Sequence, residues 1–534
     1  MTIRQKVSTI LQSAIGNAQG KNALPRFSIG EVAVYVPKEA GLGHYASSVA
    51  LQYASAAKME PRKFAQIIKA EIEQGHSDVV DRVDAAGPGF LNFFLADSYL
   101  QEQLRGILSS KDYGKSRLGK RRKVNLEFVS ANPTGKLQVG NGRHAFYGDV
   151  LANVLTKAGY KVTKEYYVNN AKTSKQIQEL GKTALGAGIT YLTPDVKEKI
   201  AKLKKRLERV KDAGRAGYLL AQAIHKENKK FLEKKAGVHF DTWTEEEELY
   251  RGKFLNKTLS YLKGKGLVYE KEGAQWLKIT ASGEEDKVLV RSSGDYGYFL
   301  ADIAYHRDKI KRRYKIIIDV FGADHQGHAK PLPAVMKMLG YNGTFLVFIV
   351  QLVRAKGGKK LSKREGNITA FEELVDEVGV DAARFFYLTR SLDAQMEFDI
   401  ALAKQQSKKN PVYYVQYSHA RAASILSRAK LKRKRVKVTK EQLGMLVGEG
   451  ELKLLRKLIQ FPQIVEDTAQ DFQVHHMTTY ALELAQEFNQ FYRDFRVLAD
   501  DEDIRAARLA LTAATGIVLR NCLGLLGISA PKKM

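Results

Sequence analysis

Apolar positions recur at helical spacing over residues 3–14 and 61–73, with shorter alternating runs such as 32–36 between them, which predicts a small α+β unit over residues 1–110. The periodicity then stops in SSKDYGKSRLGKRRK, where glycine and dense basic charge predict a solvated linker at 111–123 that could also touch phosphate. Beyond it, VNLEFV at 124–129 reads as a strand, 143–158 as a helix and KVTKEYYV at 161–168 as a second strand, together a βαβ unit. Residues 172–248 are mostly helical and highly charged, an insertion between halves of a sheet whose charges read as a solvated face. Strand-like runs return at 287–291, 315–321 and 344–353, so the expected α/β domain with one parallel sheet spans 124–400. From 401 to 534 the pattern is helical throughout.

Composition narrows the class of protein. A chain of 534 residues has room for about three to four domains of ordinary size, and its 44% hydrophobic content excludes collagen-like and wholly disordered chains. Cys522 is the single cysteine, so internal disulfides and cysteine-based zinc sites are excluded and a reducing, cytoplasmic setting is expected. A formal net charge of +29 concentrates polyanions around the molecule and makes nucleic acid the leading partner. An anionic membrane surface is the competing partner, but the longest apolar run, 345–353, is too short to span a bilayer, and the N-terminus lacks the pattern of a secretory signal.

Candidate chemistry lies in three segments. EFVSANPTGKLQVGNGRH, at 127–144, is a glycine-containing turn opening a helix, which aims backbone N–H groups at an anion, although Gly135, Gly140 and Gly142 fit neither the Walker nor the dinucleotide spacing. RAKGGKKLSKREGN, at 354–367, packs Lys359, Lys360, Lys363 and Arg364 around Ser362. Such a cationic loop could offset charge moving onto a leaving pyrophosphate, or simply be solvated. GADHQGH, at 322–328, follows an isoleucine-rich strand and so falls at the strand's C-terminal edge, where Asp324 could accept from ribose hydroxyls. His325 and His328 have no evident third ligand, so no protein-bound zinc is expected.

Taken together and in this order, the first two segments resemble the HIGH and KMSKS signatures of class I aminoacyl-tRNA synthetases, written here QVGN (138–141) and KLSKR (360–364). The segments EFVSANPTG, YYVNNA, GYFLADIAYHRDK, GADHQGH, VGVDAARFFYLTRS and NPVYYVQYSHARAASIL, with the ending SAPKKM, are similar to arginyl-tRNA synthetases over nearly the whole chain. The resemblance implies a multidomain α/β protein: an N-terminal tRNA-contacting α+β domain, a Rossmann-like parallel-sheet catalytic domain and a C-terminal all-helical anticodon-binding domain. It implies that L-arginine is activated with ATP and Mg2+ and then joined to arginine tRNA, by a monomer in the cytoplasm whose activation step needs tRNA present.

Family roles, carried over by position, put Gln138, Asn141, Lys360, Ser362 and Lys363 in catalysis. They put Glu127, Ser130, Asn132, Tyr298 and Asp302 on arginine, and Gly140, Gly322, Asp324, His325 and His328 on ATP. The physics agrees for arginine: a carboxylate accepts the planar guanidinium fork, and a spacing of four puts Tyr298 and Asp302 on one helix face, unless Tyr298 is core and Asp302 pairs with Arg307. Tyr417, Tyr492 and Met534 are the tRNA contacts expected among the C-terminal aromatics and basic residues, whereas Leu484, Phe488 and Phe491 form a stripe expected to be buried. The chain departs from the family pattern at Gln138 and Asn141, where histidines are usual, and at His44 and Asn170, where acidic residues are usual. Those departures keep a catalytically impaired tRNA-binding paralogue open as an alternative; a small-molecule nucleotidyl transferase is a more distant one.

Overall fold

The computed structural model describes the chain apart from residues 40, 76, 281–282, 324–325, 356–369 and 430–436 and the side chains of 326, 328 and 355. At its centre is a five-stranded sheet, β1 (Lys123–Glu127), β2 (Lys161–Val168), β3 (Thr242–Glu245), β4 (Ile316–Gly322) and β5 (Thr344–Val350), in the order β5-β4-β1-β2-β3 with every neighbouring pair parallel. The chain runs outward from β1 to β3, then returns to the other side of β1 for β4 and β5. The strand order therefore reverses between β1 and β4, and a parallel sheet opens its ligand crevice at such a point, beyond the strands' C-terminal ends.

Helix α1 (Val139–Lys157) follows β1 and packs close to it because it has a glycine where the two meet. A Cβ on Gly148 would fall 2.2 Å from the Phe128 ring, so any larger residue would lift the helix off the strand. Buried Arg143 pins the same helix on its other flank, donating to the carbonyls of Gln351, Ala394 and Ser391 at 3.0, 2.8 and 2.7 Å. The first helical turn is thereby held at the crevice. The helix α2 (Tyr298–Lys311) precedes β4 and lines the opposite wall.

The charged insertion builds three helices, Lys175–Ala184, Pro194–Leu207 and Ala213–Lys234, around a core of its own that includes Ile177, Leu180, Val196 and Leu220. Its last residues return to the sheet as edge strand β3. The run at 287–291 differs from its expected place in the parallel sheet: Lys287–Val290 pairs antiparallel in a separate three-stranded sheet with Ala274–Leu277 and Val268–Lys271. Glu272 and Gly273, at φ 54° and 73°, form the tight turn that makes the latter two strands an antiparallel hairpin.

The N-terminal region packs Ile3–Gly20 and Pro61–Gln74 on a three-stranded antiparallel sheet. It leans on the C-terminal helices, where Gln101 donates to the Leu446 carbonyl at 3.2 Å and Arg4 pairs with Asp467. The basic connection between the first two regions is more than solvated chain. Tyr113 stacks against Phe461, and a Cβ on Gly114 would stand 2.4 Å from that same ring. The C-terminal helices bury Leu484, Phe488, Phe491 and Cys522 completely, as the apolar stripe requires. Among the described residues no helix is long and apolar enough to cross a membrane.

Candidate active site

The crevice between β1 and β4 is a cleft of about 1190 Å³, and its lining includes Glu127, Ser130, Asn132, Gln138, Asn141, Tyr298, Asp302 and Gly322. The sequence-predicted arginine residues thus converge on one cavity. Backbone strain marks the end of β1: Val129 and Ser130 have φ of 69° and 37°, a region that side chains disfavour. Cross-links from β2 hold this turn, since the Tyr167 N–H donates to Ser130 Oγ at 3.0 Å and Asn169 Nδ2 to the Ser130 carbonyl at 2.9 Å. Ser130 Oγ in turn donates to Glu127 Oε1 at 2.9 Å.

Helix α2 supplies the facing wall through one stripe of residues. Tyr298 is 65% exposed at the cleft mouth, Asp302 is half-buried, and Tyr305 and Lys309 are 2% and 0% exposed at the floor. Arg307, the sequence's other candidate partner for Asp302, lies over the Tyr261 ring at 4.4 Å. Tyr305 and Tyr167 pack at a centroid distance of 4.5 Å and make the floor aromatic.

Glu246, which local pattern reading passes over, also lines the cleft. Burial pushes its carboxyl up to about 7, with Asp302 and Glu247 adding to the rise and the Ala171 N–H opposing it. Asn170 holds this turn in place, donating to Glu245 at 3.2 Å and accepting from the Glu247 N–H at 3.1 Å. The run of four glutamates at 245–248 looks solvent-facing in sequence, but its start is the last residue of β3. His44, the other departure in an acidic position, accepts from the Leu95 N–H at 2.9 Å, and its pKa is lowered to about 4 by burial first and by Arg456 second.

At the other end of the cleft, QVGN forms the N-terminus of α1. The Asn141 side-chain oxygen accepts from the Gln138 N–H at 2.8 Å and the Asn141 N–H donates to the Gln138 backbone carbonyl at 2.9 Å, while Gln138 Nε2 donates to the Lys136 carbonyl at 3.0 Å. Gly140 is exposed, and a Cβ there would meet nothing within 4 Å, so packing does not demand glycine at this position. An anion can approach the bare backbone and the positive end of the helix there. His144, one turn further along the helix, reaches the same cleft. A bridge pairs Gln138 with Ala370, the first described residue after the second signature segment. Lys360, Ser362, Lys363, Asp324 and His325 lie outside the described residues, as does the side chain of His328. Among the described residues no cluster of three or more His, Cys, Asp or Glu could hold a metal ion.

In the helical region, Tyr417 and Tyr492 come together around Arg421, whose guanidinium lies 4.7 and 4.9 Å from their ring centroids. Tyr492 and Met534 are 38% and 50% exposed. The C-terminal segment docks on the helix that carries Tyr417, through His419 Nδ1 at 2.7 Å from the Pro531 carbonyl.

A cleft at the reversal point of a parallel sheet, with an anion-receptive helix end on one side and carboxylates on the other, suits a small cationic substrate and a polyphosphate. Residues 171–421 match the family described as tRNA synthetases class I (R), catalytic domain, so the chain carries the catalytic domain of a class I aminoacyl-tRNA synthetase. Residues 2–95 match the arginyl tRNA synthetase N terminal domain, and 415–534 the DALR anticodon binding domain. The arginine–tRNA ligase of Desulforamulus reducens is 41% identical over 559 aligned positions, covering 100% of this chain and 99% of that protein. That of Bacillus licheniformis is 39% identical and covers 100% of both. The chain belongs to the arginine–tRNA ligase family. The arginyl-tRNA synthetase of Thermus thermophilus, 22% identical, shares the fold with a TM-score of 0.77 over 99% of this chain and 100% of that one.

Proposed function

We propose that this chain activates L-arginine with ATP, carried as its magnesium complex, and transfers the arginyl group to the terminal ribose of arginine tRNA, acting as a cytoplasmic monomer. The observation that carries the reading is the pairing of the acidic pocket of Asp302, Glu246 and Glu127 with the N-terminus of α1 in one cleft. A guanidinium offers five fixed donors, so several carboxylates with a phenol at the mouth suit arginine better than a flexible ammonium. Tyr298 and Asp302 then meet the guanidinium from α2, while Glu127, Ser130 and Asn132 orient the amino acid from the end of β1. ATP lies along Gln138, Gly140 and Asn141 toward Gly322 and the segment with Asp324, His325 and His328.

A carboxylate oxygen of arginine attacks the α-phosphorus in line, a new P–O bond forms, and the bond to pyrophosphate breaks. Backbone N–H groups of the α1 turn, which Gln138 and Asn141 hold in place, and Lys360, Ser362 and Lys363 take up the charge that develops on the phosphates. A tRNA ribose hydroxyl then attacks the arginyl carbonyl and AMP leaves. Base stacking on Tyr417 and Tyr492, with Met534 nearby, would hold unstacked tRNA bases. The intact cap at QVGN supports an active enzyme, because the anion-receptive helix end does not depend on histidine. Arginine-dependent ATP–pyrophosphate exchange in the presence of tRNA tests the reading. Exchange with arginine alone among the amino acids is expected; none, under conditions where the protein is folded, contradicts it.

A further inference from the structure

Glu127 does not stand alone at the pocket floor. Its neighbours in register are Asp319 on β4 and Glu165 on β2, so three carboxylates lie side by side across the sheet, all at most 5% exposed. Side by side and out of water, such groups repel and resist ionisation unless cations are built in beside them. Helix α2 and the residue that caps its C-terminus provide those cations. Lys309, with no exposed surface, donates to Glu127 Oε2 at 2.5 Å and to Asp319 Oδ1 at 2.7 Å. Arg312 grips Glu165 with both ends of its fork, at 2.8 and 3.0 Å.

The chain of contacts continues to the other side of the pocket. His306 Nε2 lies 2.7 Å from Asp319 Oδ2, and its Nδ1 lies 2.8 Å from the backbone carbonyl of Asp302. A buried ion chain therefore links Glu127 on one wall to the helical turn that carries Asp302 on the other. We propose that Lys309 is a positioning residue for arginine, setting the orientation of the Glu127 carboxylate and, through Asp319 and His306, the placement of Asp302. The proposal rests on the reading of Glu127 and Asp302 as the arginine site. One consequence is a division of roles: Glu127, its charge shared with Lys309, acts as an oriented acceptor, and charge selection for guanidinium falls to Asp302 and Glu246. Burial keeps the Glu127 carboxyl above its ordinary range despite Lys309, whereas Asp319, against the same burial, is held down to about 2 by Lys309 and His306.

The test compares Lys309→Met, Lys309→Arg and the charge-balanced pair Lys309→Met with Asp319→Asn, by arginine-dependent pyrophosphate exchange with tRNA and by thermal melting. Lys309→Met should raise the arginine KM by about tenfold or more with the ATP KM within about twofold, because small misplacements of substrate-positioning groups are costly. Lys309→Arg should recover part of the loss. The balanced pair should melt near the wild type and still show the raised arginine KM. A wild-type arginine KM in the folded variants, or arginine and ATP constants rising together, overturns the proposal and leaves Lys309 a purely structural ion. Asp302→Asn in the same assay separates the two levels. If it leaves the arginine KM unchanged, the arginine site itself is misplaced; if it raises that constant while the Lys309 variants do not, the positioning role alone is wrong.

Discussion

The two ends of the cleft are built on opposite principles. The end proposed for arginine has a buried floor bound together by charge: Lys309 is fully buried between Glu127 and Asp319, Arg312 holds Glu165, and the walls come from β1, β4 and α2. The end proposed for ATP is open: Gln138 and Gly140 are exposed, and the Asn141 side chain caps the first turn of α1. A small cation is selected best where carboxylates are partly withdrawn from water and held in fixed geometry. A triphosphate can be met by backbone N–H groups at a helix end together with the lysines proposed above, and the QVGN turn keeps its form without the usual histidines.

Removing one charge from the arginine end should have the largest effect. Asp302→Asn keeps the shape but loses a charge-assisted contact, so the arginine KM should rise roughly 10- to 100-fold with the ATP KM little changed. Steady-state exchange kinetics check it, and an unchanged arginine KM would make Asp302 structural. A smaller effect is expected from pH. With its carboxyl raised to about 7, Glu246 is largely protonated at lower pH and ionises as pH rises, and a guanidinium favours the ionised form. The arginine KM should therefore fall between about pH 6 and pH 8, by up to about tenfold, and Glu246→Gln should flatten the profile. A profile unaltered in Glu246→Gln would assign the ionisation elsewhere.

The open end should respond least. Asn141→Ala removes the acceptor for the Gln138 N–H, at a cost of about 1 kcal/mol of cap stability. It should raise the ATP KM a few-fold and leave the arginine KM alone. Gln138→Ala should do less, because its amide already donates to the Lys136 carbonyl and the backbone carries the anion. A large fall in kcat for Gln138→Ala would show that the side chain itself meets the transition state.

Legibility in the sequence follows the same division. The elements β1, α1 and β2 could be read locally, because apolar runs, a glycine-bearing turn and helical spacing all lie within a few dozen residues. Glu127, Ser130, Asn132, Tyr298 and Asp302 were picked out by the family resemblance, the spacing of four adding only that Tyr298 and Asp302 share a helix face, and all five line the cleft. Lys309 was not, because it sits in the basic stretch KIKRR, where Lys311 and Arg313 are exposed, and its partners lie on strands distant in sequence. Glu246 was hidden in a glutamate run for the same reason. The separate antiparallel sheet was missed because Lys287–Val290 has the apolar content of a core strand, and only the Glu272-Gly273 turn upstream signals a hairpin. Tyr113 and Gly114 were masked by the surrounding lysines and arginines, although both pack against Phe461.

The independence of the two ends is tested most directly by a double-mutant cycle. Arginine and ATP constants are measured for Asp302→Asn, Asn141→Ala and the double variant in pyrophosphate exchange with tRNA present. Each single variant should change only its own substrate's constant, and the double should show both changes, with free energies additive within about 0.5 kcal/mol. A coupling well above that, or an ATP constant that moves with Asp302→Asn, would contradict a cleft whose buried floor holds the amino acid and whose open helix end holds the nucleotide.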